Sequence, residues 1–242
     1  MSETQVVALG FFDGIHLGHA ALLDTAAALA AECAAVPAVL SFDTHPDALV
    51  RGVPVPLINT AAERRLLIRE QSGIGNVSLL PFTEATMRMP WQHFLDTLVR
   101  EQRVSGIVVG HDFRFGWRGE GTPPLLSAYC GMHGISCSVI PPVTLDGLTV
   151  SSTHIRSLLA AGDIAGANRF LGHAHLITGR AAAGVIPHDS GLQSLPDGEY
   201  LAGLRTDAAF FPGQRITVRH ADILLPQAFS GAVELRLTDR LL

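Results

Sequence analysis

Two histidines, His16 and His19, stand three residues apart in GFFDGIHLGH, a stretch that follows the apolar run QVVAL and leads into HAALLDTAAALAAE. A glycine-punctuated turn between a buried strand and a helix presents backbone amides and the positive end of a helix dipole, and together these attract an anion. Gly10, Gly14 and Gly18 let this chain turn tightly and let a ligand approach the backbone. Imidazoles at such a turn add donors toward a phosphate. A zinc pair is the competing chemistry, but HxxH lacks the i, i+4 spacing of helical zinc ligands and no third ligand is evident. Two histidines that merely cap a helix are the plainest alternative.

A second helix start lies far along the chain. SSTHIR begins at Ser151, with Ser151 or Ser152 as N-cap and Arg156 one turn in. Serine and threonine often only cap helices; the functional reading is that these hydroxyls, amides and the guanidinium grip the outer phosphates of a nucleotide. Two further stretches, SFDTHP with His45 and GHDFRFG with Asp112, Phe113 and Phe115, each follow a strand-like run directly. Such loops could seat a flat ring or a ribose, or could simply pack. The remaining histidines, including the HAH at 173–175, and the cysteines read as structural.

The whole chain narrows these options. Its 242 residues are 48% hydrophobic and 16% charged, as expected of a globular protein. The formal net charge of −5 argues against nucleic-acid and membrane-surface partners, while phosphate ligands stay open where positive groups gather locally. All 17 basic residues are arginine, so a P-loop lysine and a Schiff-base lysine are both excluded. Cys33, Cys130 and Cys137 form no CxxC, and a reducing cytoplasm is expected. Neither a membrane span nor a signal peptide is read.

The elements that would position these residues alternate. QVVALG reads as a strand buried on both faces, and AVPAVLSF, NVSLLPF, SGIVVG and SCSVIPPV read as further strands. Between them HAALLDTAAALAAE, NTAAERRLLIREQ, PWQHFLDTLVREQ and PPLLSAYCGMHG read as helices; Thr60 and Glu63 have capping-box spacing, and Pro90 opens the third. This alternation predicts a doubly wound parallel α/β sheet over residues 1–172, closed by the short helices SSTHIRSLLAAG and DIAGANRFLG. Ligands in such sheets bind beyond the carboxyl ends of the strands, hence at the loops after Leu9, Phe42 and Val109. Residues 173–242 show alternating runs such as QRITVRH and AVELRLT between turns, which predicts a small all-β barrel or sandwich.

Taken together, GFFDGIHLGH, SFDTHP, VVGHDFRFG and VSSTHIR, in this order, resemble the bacterial FAD synthetases, bifunctional riboflavin kinase/FMN adenylyltransferases. Gly10, Phe12, Asp13, Gly14, His16, Gly18 and His19 match the family's GxFDGxHxGH, and Ser151, Ser152, Thr153, Ile155 and Arg156 match its SSTxIR. The resemblance covers about residues 5–172 and implies a Rossmann-like nucleotidyltransferase of the HIGH type. It implies transfer of AMP from ATP to the phosphate of FMN, giving FAD and pyrophosphate, with Mg²⁺ held mainly through the ATP phosphates. His16 and His19 would bind the α- and β-phosphates, and Ser152, Thr153 and Arg156 the β- and γ-phosphates. Gly10, Phe11, Phe12, Asp13, Gly14, Gly18 and Ser151 would line the nucleotide, with Gly110 and Asp112 along the adenosine. His45, Pro46, Phe113 and Phe115 would lie on the flavin side, and no protein metal ligand is expected.

Thr44 replaces a family proline and Thr149 a basic residue, which keeps two other readings open: another phosphorylated acceptor, or a non-catalytic flavin- or nucleotide-binding protein. The tail departs further. LITGRAAAGV and LPDGEYLAGL resemble strands of the family's kinase domain, but the GfPTaN motif between them and the helical extension are absent. Loss of riboflavin kinase activity is expected.

Overall fold

The computed structural model describes residues 3–241. The β-branched run near the start folds as β1 (Gln5–Leu9) at the centre of a parallel sheet with β2 (Val36–Phe42), β3 (Asn76–Leu80), β4 (Val104–Gly110) and β5 (Ser136–Ile140). The strand order is β3-β2-β1-β4-β5. The chain therefore steps outward from β1 to β3 and returns on the other side of β1 with β4. In an open α/β sheet this reversal marks the switch point where ligands bind, and the loops concerned leave β1 at Gly10 and β4 at His111.

The intervening helices are α1 (Leu17–Glu32), α2 (Pro46–Arg51), α3 (Ala61–Ser72), α4 (Glu84–Met87), α5 (Trp91–Glu101) and α6 (Pro123–His133). Alternation along the strands explains the core. Val7, Leu9, Ala38, Leu40, Ile107 and Val109 pack with Leu95 and Leu98 of α5 and with Leu126, Tyr129 and Cys130 of α6. Residues of opposite parity, Val6, Ala8, Val39 and Val108, are buried as well, so both faces of the sheet are covered and the runs read as continuously apolar. The capping box of α3 forms as its spacing predicts: Thr60 Oγ1 accepts the Glu63 N–H at 3.2 Å and Glu63 Oε2 accepts the Thr60 N–H at 2.7 Å. The short α2 and α4 escaped the sequence reading because fewer than two turns are too brief to show a 3.6-residue period. They rest on caps, with His45 Nδ1 accepting the Asp47 N–H and Thr83 accepting that of Thr86.

Beyond Val143 come the hairpin β6 (Thr144–Leu145) and β7 (Leu148–Thr149), then α7 (Ser152–Ala161) and α8 (Ile164–Leu171). The all-β tail expected from its alternation follows as β8 (His175–Ala181), β9 (Val185–Ile186), β10 (Gly198–Thr206), β11 (Phe210–Arg219), β12 (Asp222–Leu224) and β13 (Gly231–Leu241). These strands form one antiparallel sheet in the order β8-β13-β10-β11-β12-β9. Its edge strands meet at a bridge between Ala182 and Val185, which nearly closes a barrel and leaves little free edge. A Cβ on Gly179 would lie 2.5 Å from Ile186 Cγ2, so glycine is what permits β8 and β9 to approach there. Leu176, Tyr200, Ala202, Ile216, Leu235 and Leu237 fill the interior.

The compact units of the fold are not consecutive pieces of chain. One holds the described residues of Met1–Phe12, Gly18–Val55 and Arg65–Val143; the other holds Asp13–Leu17, Pro56–Arg64 and those of Thr144–Leu242. The second unit thus contains the barrel, α7 and α8, a short piece of the GFFDGIHLGH turn, and a strap at 56–64. Among the described residues no helix is long and apolar enough to cross a membrane.

Candidate functional site

The turn after β1 is strained. Gly14 has φ +86°, but Phe12 at +59° and the β-branched Ile15 at +42° also adopt the left-handed region that side chains disfavour. Backbone outliers of this kind persist only where the surroundings over-determine them, and they concentrate at functional sites.

In the sheet unit, Phe12 is fully buried and its ring folds over Gly10, where an added Cβ would lie 3.1 Å from Phe12 Cε2. The same ring meets the His19 imidazole with centroids 5.1 Å apart. Gly10 therefore makes room for the aromatic ring that His19 contacts. Phe11 is anchored through its carbonyl, which accepts the Ser41 hydroxyl at 2.8 Å, and its ring meets His45 edge-on at 4.6 Å. His45 and Pro46 begin α2, and because Nδ1 of His45 accepts the Asp47 N–H, the neutral ring has its remaining N–H donor on Nε2. Gly18 lies in the first turn of α1, half-buried beside His19 in sequence.

Gly110 ends β4, and its carbonyl accepts the Phe113 N–H to close a turn that leaves Asp112 exposed. Phe113, half-buried, stacks on Phe115 with centroids 5.5 Å apart. Phe115 itself is 7% exposed and packs against Phe94 and Trp91 within the core. Of the two rings expected near a flavin, Phe113 is the one with free surface.

In the barrel unit the turn meets α7. Asp13 is 2% exposed, and its carboxylate accepts the Ile58 N–H at 2.8 Å and the Asn59 N–H at 3.2 Å on Oδ1 and Arg156 Nη1 at 2.8 Å on Oδ2. Its carbonyl accepts the Ser152 hydroxyl at 2.8 Å. Burial pushes the Asp13 carboxyl above its ordinary value, against the Arg156 guanidinium and the two backbone amides, which pull it down. Ser151 proves to be the N-cap of α7, accepting the His154 N–H, while exposed Thr153 accepts Arg156 Nη2 at 3.2 Å. The Arg156 guanidinium has five N–H donors, and these two bonds leave three for another acceptor. His16, directly before α1, is 7% exposed.

Asp13, Ser151, Ser152, Thr153 and Arg156 are thus brought together although the chain separates Asp13 from Arg156 by 143 residues. Gly10, Phe11, Phe12, His19 and His45 form a second group, and Phe113 with Phe115 a separate aromatic one. Sequence reading missed Ile58, Asn59 and Glu63; His173, read as structural, has its Nε2 3.0 Å from the Gly14 carbonyl oxygen. Backbone amides leave no residue-type signal, and only the Thr60–Glu63 capping spacing pointed to this segment.

The bifunctional riboflavin kinase/FMN adenylyltransferase of Bacillus subtilis is 32% identical over 180 residues, 72% of this chain and 55% of that protein. That of Listeria monocytogenes is 29% identical over 181 residues, 74% of this chain and 57% of that protein. The chain therefore spans just over half the length of these curated relatives. A protein named FAD synthetase from Listeria monocytogenes is 27% identical over 180 residues and is covered to 72%. Among solved structures, that of a macrolide-efflux protein from Streptococcus pneumoniae aligns with a TM-score of 0.86 at 22% identity, covering all of this chain and 86% of that one, which is a likeness of fold. A family model described as FAD synthetase matches residues 1–154, and with the strained turn, the Asp13 cluster and the SSTHIR helix start in place, the chain belongs to the FAD synthetase family.

Proposed function

We propose that the chain transfers AMP from ATP to the phosphate of FMN, forming FAD and releasing pyrophosphate. The observation that carries this reading is the clamp of Asp13 on Ser152 and Arg156, which ties the turn at the start of α1 to the start of α7. Each helix start offers amides and a positive dipole end, which suit a phosphate. No covalent intermediate is needed: an FMN phosphate oxygen attacks the α-phosphorus in line, the bond to the β-phosphate bridging oxygen breaks, and charge moves onto pyrophosphate. His16 and His19 would donate to the α- and β-phosphates, and the Thr153 hydroxyl, the Ser152 backbone N–H and the three remaining N–H donors of Arg156 would meet charge on the leaving group. Gly110 and Asp112 would take the adenosine, and His45, Pro46 and Phe113, with Phe115 behind it, the isoalloxazine.

Asp13 is the one carboxylate in GFFDGIHLGH and is engaged by Arg156 and two amides, so these residues fit a Mg²⁺ held by the nucleotide phosphates. When bound, it would neutralise charge on the departing pyrophosphate. The substrates and the free thiols fit a cytoplasmic setting.

The test is incubation with ATP, Mg²⁺ and FMN: FAD and pyrophosphate should accumulate, and no FAD above a His19→Ala control would overturn the reading. Riboflavin in place of FMN should give no product, because GfPTaN is missing between β8 and β10. Exposed Thr44 and Thr149 favour a second acceptor as the alternative, and turnover of another phosphorylated compound with none of FMN would establish it.

A further inference from the structure

The strap at 56–64 has partners on two sides. On one side the amides of Ile58 and Asn59 hold Asp13. On the other the barrel holds the strap. Leu57 donates its N–H to the Gly191 carbonyl at 2.9 Å, and its carbonyl accepts the Gln193 N–H at 2.7 Å. Asn59 Nδ2 donates to the Leu176 carbonyl at 3.0 Å. Glu63 is 1% exposed; Oε1 accepts both the backbone N–H and the hydroxyl of Thr178, while Oε2 accepts the Thr60 N–H. A buried carboxylate that accepts this many donors has one orientation.

From Pro56 to Thr60 the strap has no helix and no strand beyond the single Leu57 bridge, so its conformation is set by its partners. Those partners are β8 and the loop before β10. The strained backbone at Phe12, Gly14 and Ile15 must be over-determined from outside itself, and the Asp13 carboxylate is one of its anchors. The contacts thus run continuously from the barrel through the strap to Asp13, and from there to Arg156 and the turn.

We propose that the β-barrel serves the adenylyltransferase site as its alignment frame, with Asn59, Glu63 and Thr178 as positioning residues that act through Asp13 on the phosphate-binding turn. This rests on the reading of that turn as a phosphate site, and it gives the barrel a task that needs no kinase chemistry. A frame of this kind affects nucleotide use rather than acceptor use.

The experiment compares the full chain with Glu63→Gln, Thr178→Val, Thr178→Ser and, as a control, Ile216→Val, which loosens the barrel interior on β11, a strand outside the strap contacts named above. Hydrogen–deuterium exchange should rise in segments 13–16 and 56–60 of Glu63→Gln and Thr178→Val, on the order of tenfold. KM for ATP should rise by a similar factor with KM for FMN unchanged. Thr178→Ser, which restores the hydroxyl, should return both to wild-type values, and Ile216→Val should move neither. Wild-type exchange at 13–16 in both strap-facing variants, or an equal rise in Ile216→Val, would overturn the proposal. Should Glu63→Gln fail to fold, the Thr178 pair decides alone. Absence of FAD formation by the wild type would defeat the proposed reaction instead, while the exchange comparison would still decide the coupling.

Discussion

Removing Arg156 tests the Asp13 clamp most directly. In Arg156→Ala the carboxylate of Asp13 loses its cation but keeps two backbone N–H donors on Oδ1. Breaking a fully buried ion pair by deleting one partner costs about 3–5 kcal/mol. Here Asp13 is buried, but the Arg156 side chain is 15% exposed, and two hydrogen bonds remain, so the loss should be about 2–3 kcal/mol. For a chain of this size that corresponds to a fall in Tm of about 4–12 °C.

The loss should also depend on pH with a definite sign. A carboxyl raised in the folded state favours the fold below its unfolded value and loses that contribution as pH rises through the folded value. Burial raises the Asp13 carboxyl, and Arg156 is the foremost influence that lowers it, so deleting Arg156 raises it further. The gap between wild type and variant should be smallest below about pH 4 and widen toward neutrality. Asp13→Asn in the same chain should reverse much of it, because the amide oxygen can keep both backbone N–H bonds where the uncompensated charge is gone; about 1–2 kcal/mol should return, without FAD formation. Thermal unfolding of the four members of this double-mutant cycle from pH 4 to pH 8 measures all of this. An Arg156→Ala penalty that is equal in both backgrounds, or flat across pH, would refute the reasoning.

His19→Ala should lower kcat by roughly 10²–10³, about 2.7–4 kcal/mol, with little change in far-ultraviolet circular dichroism; steady-state FAD formation checks it. Gly14→Ala places a side chain at φ +86° with its Cβ 2.9 Å from Ile58 Cδ1 and 3.2 Å from Leu171 Cδ2, so denaturant unfolding should show a loss of about 2–4 kcal/mol. Both tyrosines of the chain should ionise late: burial and the hydrogen bond to the Asp96 carboxylate push Tyr129 up to about 12, and burial raises Tyr200. Phenolate absorbance should therefore show no step at pH 10 while the fold persists, and stability should decline as pH rises from there toward the folded values.

The alternation of strands and helices was legible because burial on both faces of a parallel sheet writes a continuous apolar run, as in QVVAL and SGIVVG, and because caps such as Thr60 with Glu63 are local chemistry. The barrel tail was legible from alternation in runs such as QRITVRH. The short α2 was not, since its start is set by His45 accepting one N–H, a role that histidine seldom announces. Phe113 and Phe115 look equivalent in GHDFRFG, yet one is half-buried and the other is core, because the turn at Gly110 aims them differently.

The sequence by itself narrowed the kind of chemistry expected: strand-to-helix turns with imidazoles, a distant SSTHIR helix start and no lysine point to backbone amides, histidines and Arg156 as the groups proposed to meet phosphate. Tertiary structure decided which of these residues stand in contact. The strand order brings the loops after β1 and β4 to the switch point, and the Asp13 carboxylate draws partners from residues 58, 59 and 156. Local periodicity carries no record of such pairings, because a buried carboxylate is satisfied by whatever donors the fold delivers, and two of those three donors here are backbone amides that any residue but proline would supply.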